Sequence, residues 1–216
     1  NEILSPIIEP ATETDTEAIL PTLQPGTIIV DCSTSDPKST IMLAAKLKEC
    51  DCHMADTPLG GTPVQAEAGE LSTMVGAPEQ VFNRIKPVIA SWASTIVHIG
   101  ASGTGHKMKL LNNFLSLGYA ALYSEALALS EKVGISTQKF DSVIRGSRMD
   151  CGFYQTFMGY AIEGNREAHK FTITNALKDT RYLAAMADDV NLSNPVGNAV
   201  KNSFALAHAA GGNGPE

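Results

Sequence analysis

Apolar positions fall into two regimes along the chain. In the first hundred residues, short β-branched runs alternate with helix-period segments. Thr27-Ile-Ile-Val-Asp31, Cys52-His-Met-Ala-Asp56, Leu71–Val75 and Thr95-Ile-Val-His-Ile99 read as strands. Lys38–Glu49 and Pro78–Trp92 carry helical spacing, the second with proline in its first turn. A short helix is expected at Thr16–Leu23 and a helical turn at Val64–Gly69. Strands alternating with helices at this interval predict an α/β unit with a largely parallel sheet. Beyond residue 103 every periodic segment is helical: Gly103–Gly134, then about Thr137–Arg145, Tyr154–Glu163, Thr174–Val190 and Pro195–Ala210. The expected fold class is α/β followed by all-α, in two parts, 1–102 and 103–216.

The second part is organised on one long helix. Met108, Leu111, Leu115, Leu122, Ala126, Leu129 and Val133 recur at three- and four-residue steps, the spacing of a buried helical face. Ser102 or Thr104 is placed to cap its start, and Gly134 to stop it. About 30 residues rising roughly 1.5 Å each make a rod on the order of 45 Å. Apolar residues on more than one of its faces predict packing against another copy, as a homodimer or homotetramer.

Composition narrows the function classes. The 216 residues are 44% hydrophobic and 18% charged, with net charge −7, the balance of a soluble globular protein with a sizeable core. An acidic chain of pI about 5.2 argues against nucleic acid or an anionic membrane as partner, though a pocket can still be locally basic. No apolar run approaches a membrane span. Cys32, Cys50, Cys52 and Cys151 lack a disulfide-framework spacing, and Cys50-Asp-Cys52-His53 has no second cluster to complete a zinc site. Reduced thiols in the cytoplasm are the expectation. The chain starts without methionine and stops in a loop-like run, so both ends read as cut from something longer.

The chemistry begins at the start of the rod. Lys109 and Asn113 are four residues apart and share a helix face. Such a pair can move a proton and orient the group receiving it; it can equally be a solvated lysine beside a surface amide. Gly100-Ala-Ser-Gly-Thr-Gly-His-Lys follows a strand and opens a helix, but His106 precedes Lys107 and Met108 stands where a P-loop needs a hydroxyl, so no ATPase is supported. His98, His106 and His169 read as packed or capping residues. Arg145 and Arg148, with Asp150, form either an anion-facing group or a surface salt-bridge cluster.

Gly103-Thr-Gly-His-Lys-Met-Lys109-Leu-Leu-Asn-Asn113 resembles the G-x-G-x-x-x-K-x-x-N-N motif of the β-hydroxyacid dehydrogenases, the 3-hydroxyisobutyrate dehydrogenase family. Asp31-Cys-Ser-Thr34 resembles the family's D-x-S-T strand end, whose threonine lies beside the nicotinamide. Asp56-Thr-Pro-Leu-Gly-Gly-Thr62 resembles its D-A-P-V-S-G-G loop, which holds a substrate carboxylate; here Gly60 replaces the serine and Thr62 the second glycine. Phe171-Thr-Ile-Thr-Asn-Ala-Leu-Lys178-Asp179 resembles its F-x-x-x-L-x-x-K-D, whose lysine approaches the cofactor. The motifs stand in the family's order across essentially the whole chain.

The resemblance implies the C-terminal part of a Rossmann-like dinucleotide-binding domain, then a helical domain for substrate and oligomerisation. The family's G-x-G-x-x-G occurs nowhere in these residues. It further implies an NAD- or NADP-dependent oxidoreductase interconverting a small anionic 3-hydroxy acid and its semialdehyde. Lys109 would be the general acid/base with Asn113 orienting; Gly60 and Gly61, with Thr62 replacing the lost hydroxyl, would bind substrate; Thr34 and Lys178 would bind cofactor. The alternative is a non-catalytic dehydrogenase-like module, or a fragment inactive without its cofactor half.

Overall fold

The computed structural model describes residues 20–211, and the chain divides into two compact units, Asn1–Leu111 and Asn112–Glu216. Of the helix expected at Thr16–Leu23, the part before Leu20 lies outside the described residues; Leu20–Thr22 is a single 3-10 turn.

The first unit holds five strands: β1 (Ile28–Asp31), β2 (His53–Asp56), β3 (Leu59–Gly60), β4 (Leu71–Gly76) and β5 (Ala93–Gly100). Three helices, α1 (Pro37–Glu49), α2 (Pro63–Glu67) and α3 (Glu79–Ile89), connect them. Strand order is β1-β2-β4-β3, with β5 also paired to β4. The sheet is mixed, with its longer pairings parallel as expected. β1–β2 and β4–β5 are parallel, while β4 runs antiparallel to β2, through Asp56↔Gly76, and to β3. β3, two residues long and too short to carry any periodicity, runs in the same direction as β2; the chain reverses after it, in the connection through α2 to β4.

Local chemistry explains the helix starts. Asp36 caps α1 ahead of Pro37, and Thr62 closes a capping box with Gln65 at α2. One core packs Val75, Val81, Ile85 and Ile89 between the sheet and α3; a second packs Leu43, Leu47, Cys52 and Met54 under α1. Fully burying an aliphatic side chain of this size is worth about 1.5–3 kcal/mol.

The long helix, α4, runs Thr104–Lys132. It ends as glycine predicts: Gly134 sits at φ 85°, its N–H bonds the Glu131 carbonyl, and the Ile135 N–H reaches back to Ser130. Neither expected cap opens it. The Ser102 hydroxyl donates to the Met54 carbonyl and that of Thr104 to Ala101, while the helix start is held by Asp56.

The second unit adds α5 (Thr137–Ile144), α6 (Gly152–Glu163), α7 (Ile173–Asp189) and α8 (Pro195–Ala209). Its core joins Leu117, Ala176 and Val200, with Phe114, Ala121 and Phe204 against them. The apolar stripe expected to be buried along the rod is exposed within the single chain: Leu115, Leu122, Leu129 and Val133 are each about 60% exposed. The buried residues of α4 are instead Gly105, His106, Leu110, Asn113, Leu117 and Ser130. Spacing marks a face that avoids water without saying whether the same chain covers it.

Candidate active site

In the first unit the site is assembled where β1 and β2 end. Their carboxyl ends lie side by side in parallel register, Asp31 opposite Asp56. Asp56 has no solvent exposure, and its two oxygens accept the N–H groups of Gly103, at 2.6 Å, and His106, at 2.7 Å. A carboxylate on exposed helix N–H groups is a charge-assisted contact favoured by the helix dipole. Burial pushes the Asp56 carboxyl above its ordinary value, while those two N–H bonds and the neighbouring His106 pull the other way.

Two glycines allow this approach. A Cβ on Gly105 would lie 2.6 Å from the Asp56 carbonyl oxygen and 2.8 Å from the Gly76 nitrogen; one on Gly76 would meet the Asp56 carboxylate at 2.5 Å. The glycine at 105 thus serves helix-on-sheet packing, whereas Gly103 also supplies a φ of 92°.

His106 is wholly buried and ties the same turn to the loop after β1. Its Nε2 donates to the Ser33 carbonyl at 3.0 Å, and its Nδ1 shares a 2.8 Å hydrogen bond with the Thr40 hydroxyl, which also lies 3.2 Å from the Asp36 carbonyl. Asp31 Oδ1 accepts the Ser33 N–H at 2.9 Å, so Cys32-Ser-Thr34 is held from both sides. Lys109, half-buried, follows His106 by three residues on α4. From its neighbours in the chain His106 reads only as packed or capping; its partners, 66 and 73 positions away, leave no local signal.

Gly60 ends β3 and Gly61 opens the turn to α2. The Thr62 hydroxyl, expected to replace a lost serine, lies in the α2 capping box, 3.2 Å from Gln65 Oε1 and 3.5 Å from the Gln65 N–H.

In the second unit, Asn113 is 6% exposed, and its Nδ2 donates to Asp179 Oδ2 at 2.7 Å. Lys178 Nζ lies 3.2 Å from Asp179 Oδ1 and 5.6 Å above the Tyr182 ring. Buried Asp179 thus links two residues that the motifs had left separate. Arg145 pairs with Asp141 at 2.8 Å, on an exposed surface. All four cysteines are free thiols, and no group of three metal-binding side chains occurs among the described residues.

An α/β unit with this strand-end site, followed by an all-helical unit, is the architecture of a Rossmann-like NAD-binding domain with a helical domain. Residues 8–100 match the NAD binding domain of 6-phosphogluconate dehydrogenase, and 103–216 match the family described as NAD-binding of NADP-dependent 3-hydroxyisobutyrate dehydrogenase. The latter covers more than half of the chain, which belongs to this β-hydroxyacid dehydrogenase family.

Among relatives, 2-(hydroxymethyl)glutarate dehydrogenase of Eubacterium barkeri is 37% identical over 126 residues, 58% of this chain and 42% of that protein. The 3-sulfolactaldehyde reductase of Escherichia coli K12 is 27% identical over 189 residues, 88% and 63% respectively. The crystal structure of 3-hydroxyisobutyrate dehydrogenase from Salmonella typhimurium aligns with TM-score 0.78 at 25% identity, over 90% of this chain and 68% of that one. The Mycobacterium tuberculosis 3-hydroxyisobutyrate dehydrogenase, solved with L-serine, aligns at 0.76 and 26%, over 88% and 67%. The chain therefore spans about two fifths to two thirds of the length of these relatives.

NAD or NADP is the cofactor of the matched domains. The chemistry of the residues fits a dinucleotide at this edge: the loop bearing Ser33 and Thr34, fixed by Asp31 and His106, leaves β1 at the carboxyl end of parallel strands, where open α/β sheets take ligands.

Proposed function

We propose that the protein carrying this chain is an NAD(P)-dependent oxidoreductase interconverting a small 3-hydroxy acid, 3-hydroxyisobutyrate-like, and its semialdehyde. The observation that carries this reading is the double anchoring of the first turn of α4. Asp56 fixes it to β2, and His106 fixes it to the loop bearing Thr34, so Lys109 three residues on has a set position relative to that loop.

The cofactor, when bound, accepts or donates the hydride. Thr34 and Lys178 hold its nicotinamide end. Lys109 protonates the developing alkoxide as the aldehyde is reduced and, neutral, takes that proton back in oxidation. Asn113, oriented by Asp179, aligns the substrate oxygen with Lys109. Gly60 and Gly61 offer backbone N–H groups to the substrate carboxylate. Lys109→Ala in the full-length protein is expected to lower kcat for semialdehyde reduction about 10²–10⁴-fold. Near-normal turnover would overturn the assignment.

The same reading makes the protein a homodimer or homotetramer of the cytoplasm. Its support is the exposed Leu115, Leu122, Leu129 and Val133 on α4 and a groove of about 350 Å³ lined by Leu115, Tyr119, Leu122 and Val196. Four free thiols accord with a reducing compartment. Among the described residues no helix is long and apolar enough to cross a membrane. Leu122→Glu is expected to shift the sedimenting species to the monomer.

A further inference from the structure

The loop from Thr57 to Thr62 has a gap in its chemistry. Gly60 brings no side chain, and the Thr62 hydroxyl is committed to the cap of α2. Backbone N–H groups alone make a weaker and less selective anion site than N–H groups joined by a hydroxyl. A hydroxyl does stand against the Gly60 peptide, from the neighbouring strand. Ser72 on β4 faces Gly60 across the antiparallel β3–β4 pair. Its Oγ would lie 2.5 Å from a Cβ built on Gly60, in the space that a side chain at 60 would enter.

We infer that Ser72 is the substrate-anion hydroxyl of this site: the group that residue 60 lacks is supplied from β4. The assignment rests on reading Gly60 and Gly61 as the anion loop. Three observations support it. First, the hydroxyl is free to switch partners. It donates to the Gly60 carbonyl at 3.2 Å, long against the usual 2.7–2.8 Å for O–H···O, so turning toward an anion loses little. Second, Ser72 is half-buried, shielded enough for the bond to count and open enough for a ligand to reach. Third, it faces the correct side. Side chains alternate along β4, so Ser72 shares a face with Gly76, whose missing Cβ makes room for the Asp56 carboxylate and the Gly105 nitrogen at the start of α4. Ser72 is thus on the sheet face that receives the helix of Lys109.

The geometry also makes hydroxyls at 60 and 72 mutually exclusive. With Ser72 shortened to alanine its Cβ would stand 3.9 Å from a Cβ at 60, an ordinary contact, so the hydroxyl can be moved back to β3.

The test uses the full-length protein with its cofactor, 3-hydroxyisobutyrate as probe and its methyl ester as the uncharged control. Ser72→Ala is expected to weaken binding of the acid about 10- to 100-fold, the range for a hydrogen bond to a charged group, with kcat and cofactor KM within about twofold. The ester should be unaffected. Adding Gly60→Ser to Ser72→Ala should restore most of the loss for the acid. Gly61→Ala, a strained residue at φ 130°, should weaken the acid in either background. If Gly61→Ala weakens binding and Ser72→Ala does not, the anion loop stands and the assignment of Ser72 falls. If neither variant discriminates acid from ester, or the wild type does not bind the acid, the loop reading falls with it.

Discussion

Gly105→Ala tests the packing on which the site depends. In an ordinary helix the change is stabilising, by up to about 1 kcal/mol, because alanine has the better propensity and glycine the floppier unfolded chain. Here the new methyl would sit 2.6 Å from the Asp56 carbonyl oxygen and 2.8 Å from the Gly76 nitrogen, with the Met74 carbonyl also in its path. Normal carbon contacts lie near 3.5–4.0 Å, so α4 must move by about 1 Å. All three obstacles are backbone, and no rotamer change relieves them. Overpacking of this kind costs about 1–3 kcal/mol. Displacing the helix also lengthens the 2.6 and 2.7 Å bonds from Gly103 and His106 to the buried Asp56, each charge-assisted and worth roughly 1.5–3 kcal/mol. A net loss of about 3 kcal/mol lowers Tm by roughly 6–12 °C in a domain of this size. Gly118→Ala, in the same helix, is the control: its Cβ would meet only Val200 Cγ2, at 3.9 Å, so propensity should win and Tm rise by about 1–3 °C. Scanning calorimetry of both variants decides the matter. A Gly105→Ala protein melting at or above wild type would refute the reasoning.

Two further outcomes follow from buried polar groups. Asp179→Ala leaves the buried Asn113 amide without the acceptor it holds at 2.7 Å, and should cost about 1–3 kcal/mol in urea unfolding; an unchanged midpoint would contradict that. Tyr154 is pushed up to about 12 from its ordinary 10 by burial and by its hydroxyl bond to Asp141, at 3.0 Å. The folded state therefore holds that proton more tightly than the unfolded chain. The stabilisation is complete below pH 10 and lost as pH rises through about 12, and Tyr154→Phe should remove this part of the alkaline dependence of Tm. In an ultraviolet titration Tyr154 and Tyr123, also raised to about 12, should ionise near that pH; a late phase left undiminished by both Tyr154→Phe and Tyr123→Phe would contradict the assignment.

Much of the fold was legible because its signals are local. Periodicity located every helix from α3 onward to within a few residues, and Gly134 marked the end of α4. β3 left no trace, being two residues whose extended form comes only from pairing with β4. The cap of α4 was missed for a related reason: its acceptor is Asp56, 47 residues earlier, and the adjacent Ser102 and Thr104 hydroxyls satisfy other carbonyls. The exposed stripe on α4 shows that hydrophobic spacing reports a face's preference and not its partner. At the candidate site, Lys109 and Asn113 could be picked out from spacing plus family resemblance. The residues that hold them, Asp56, His106 and Asp179, could not, because their contacts are long-range.

Lys109 is proposed to carry the proton. The direct measurement is the pH profile of alcohol oxidation by the full-length protein, wild type against Lys109→Met. The account predicts that wild-type kcat falls on the acid side as the amine becomes protonated, and that the variant, slower by about 10²-fold or more, has lost that acid limb. An acid limb of the same midpoint in Lys109→Met would assign the proton to another group.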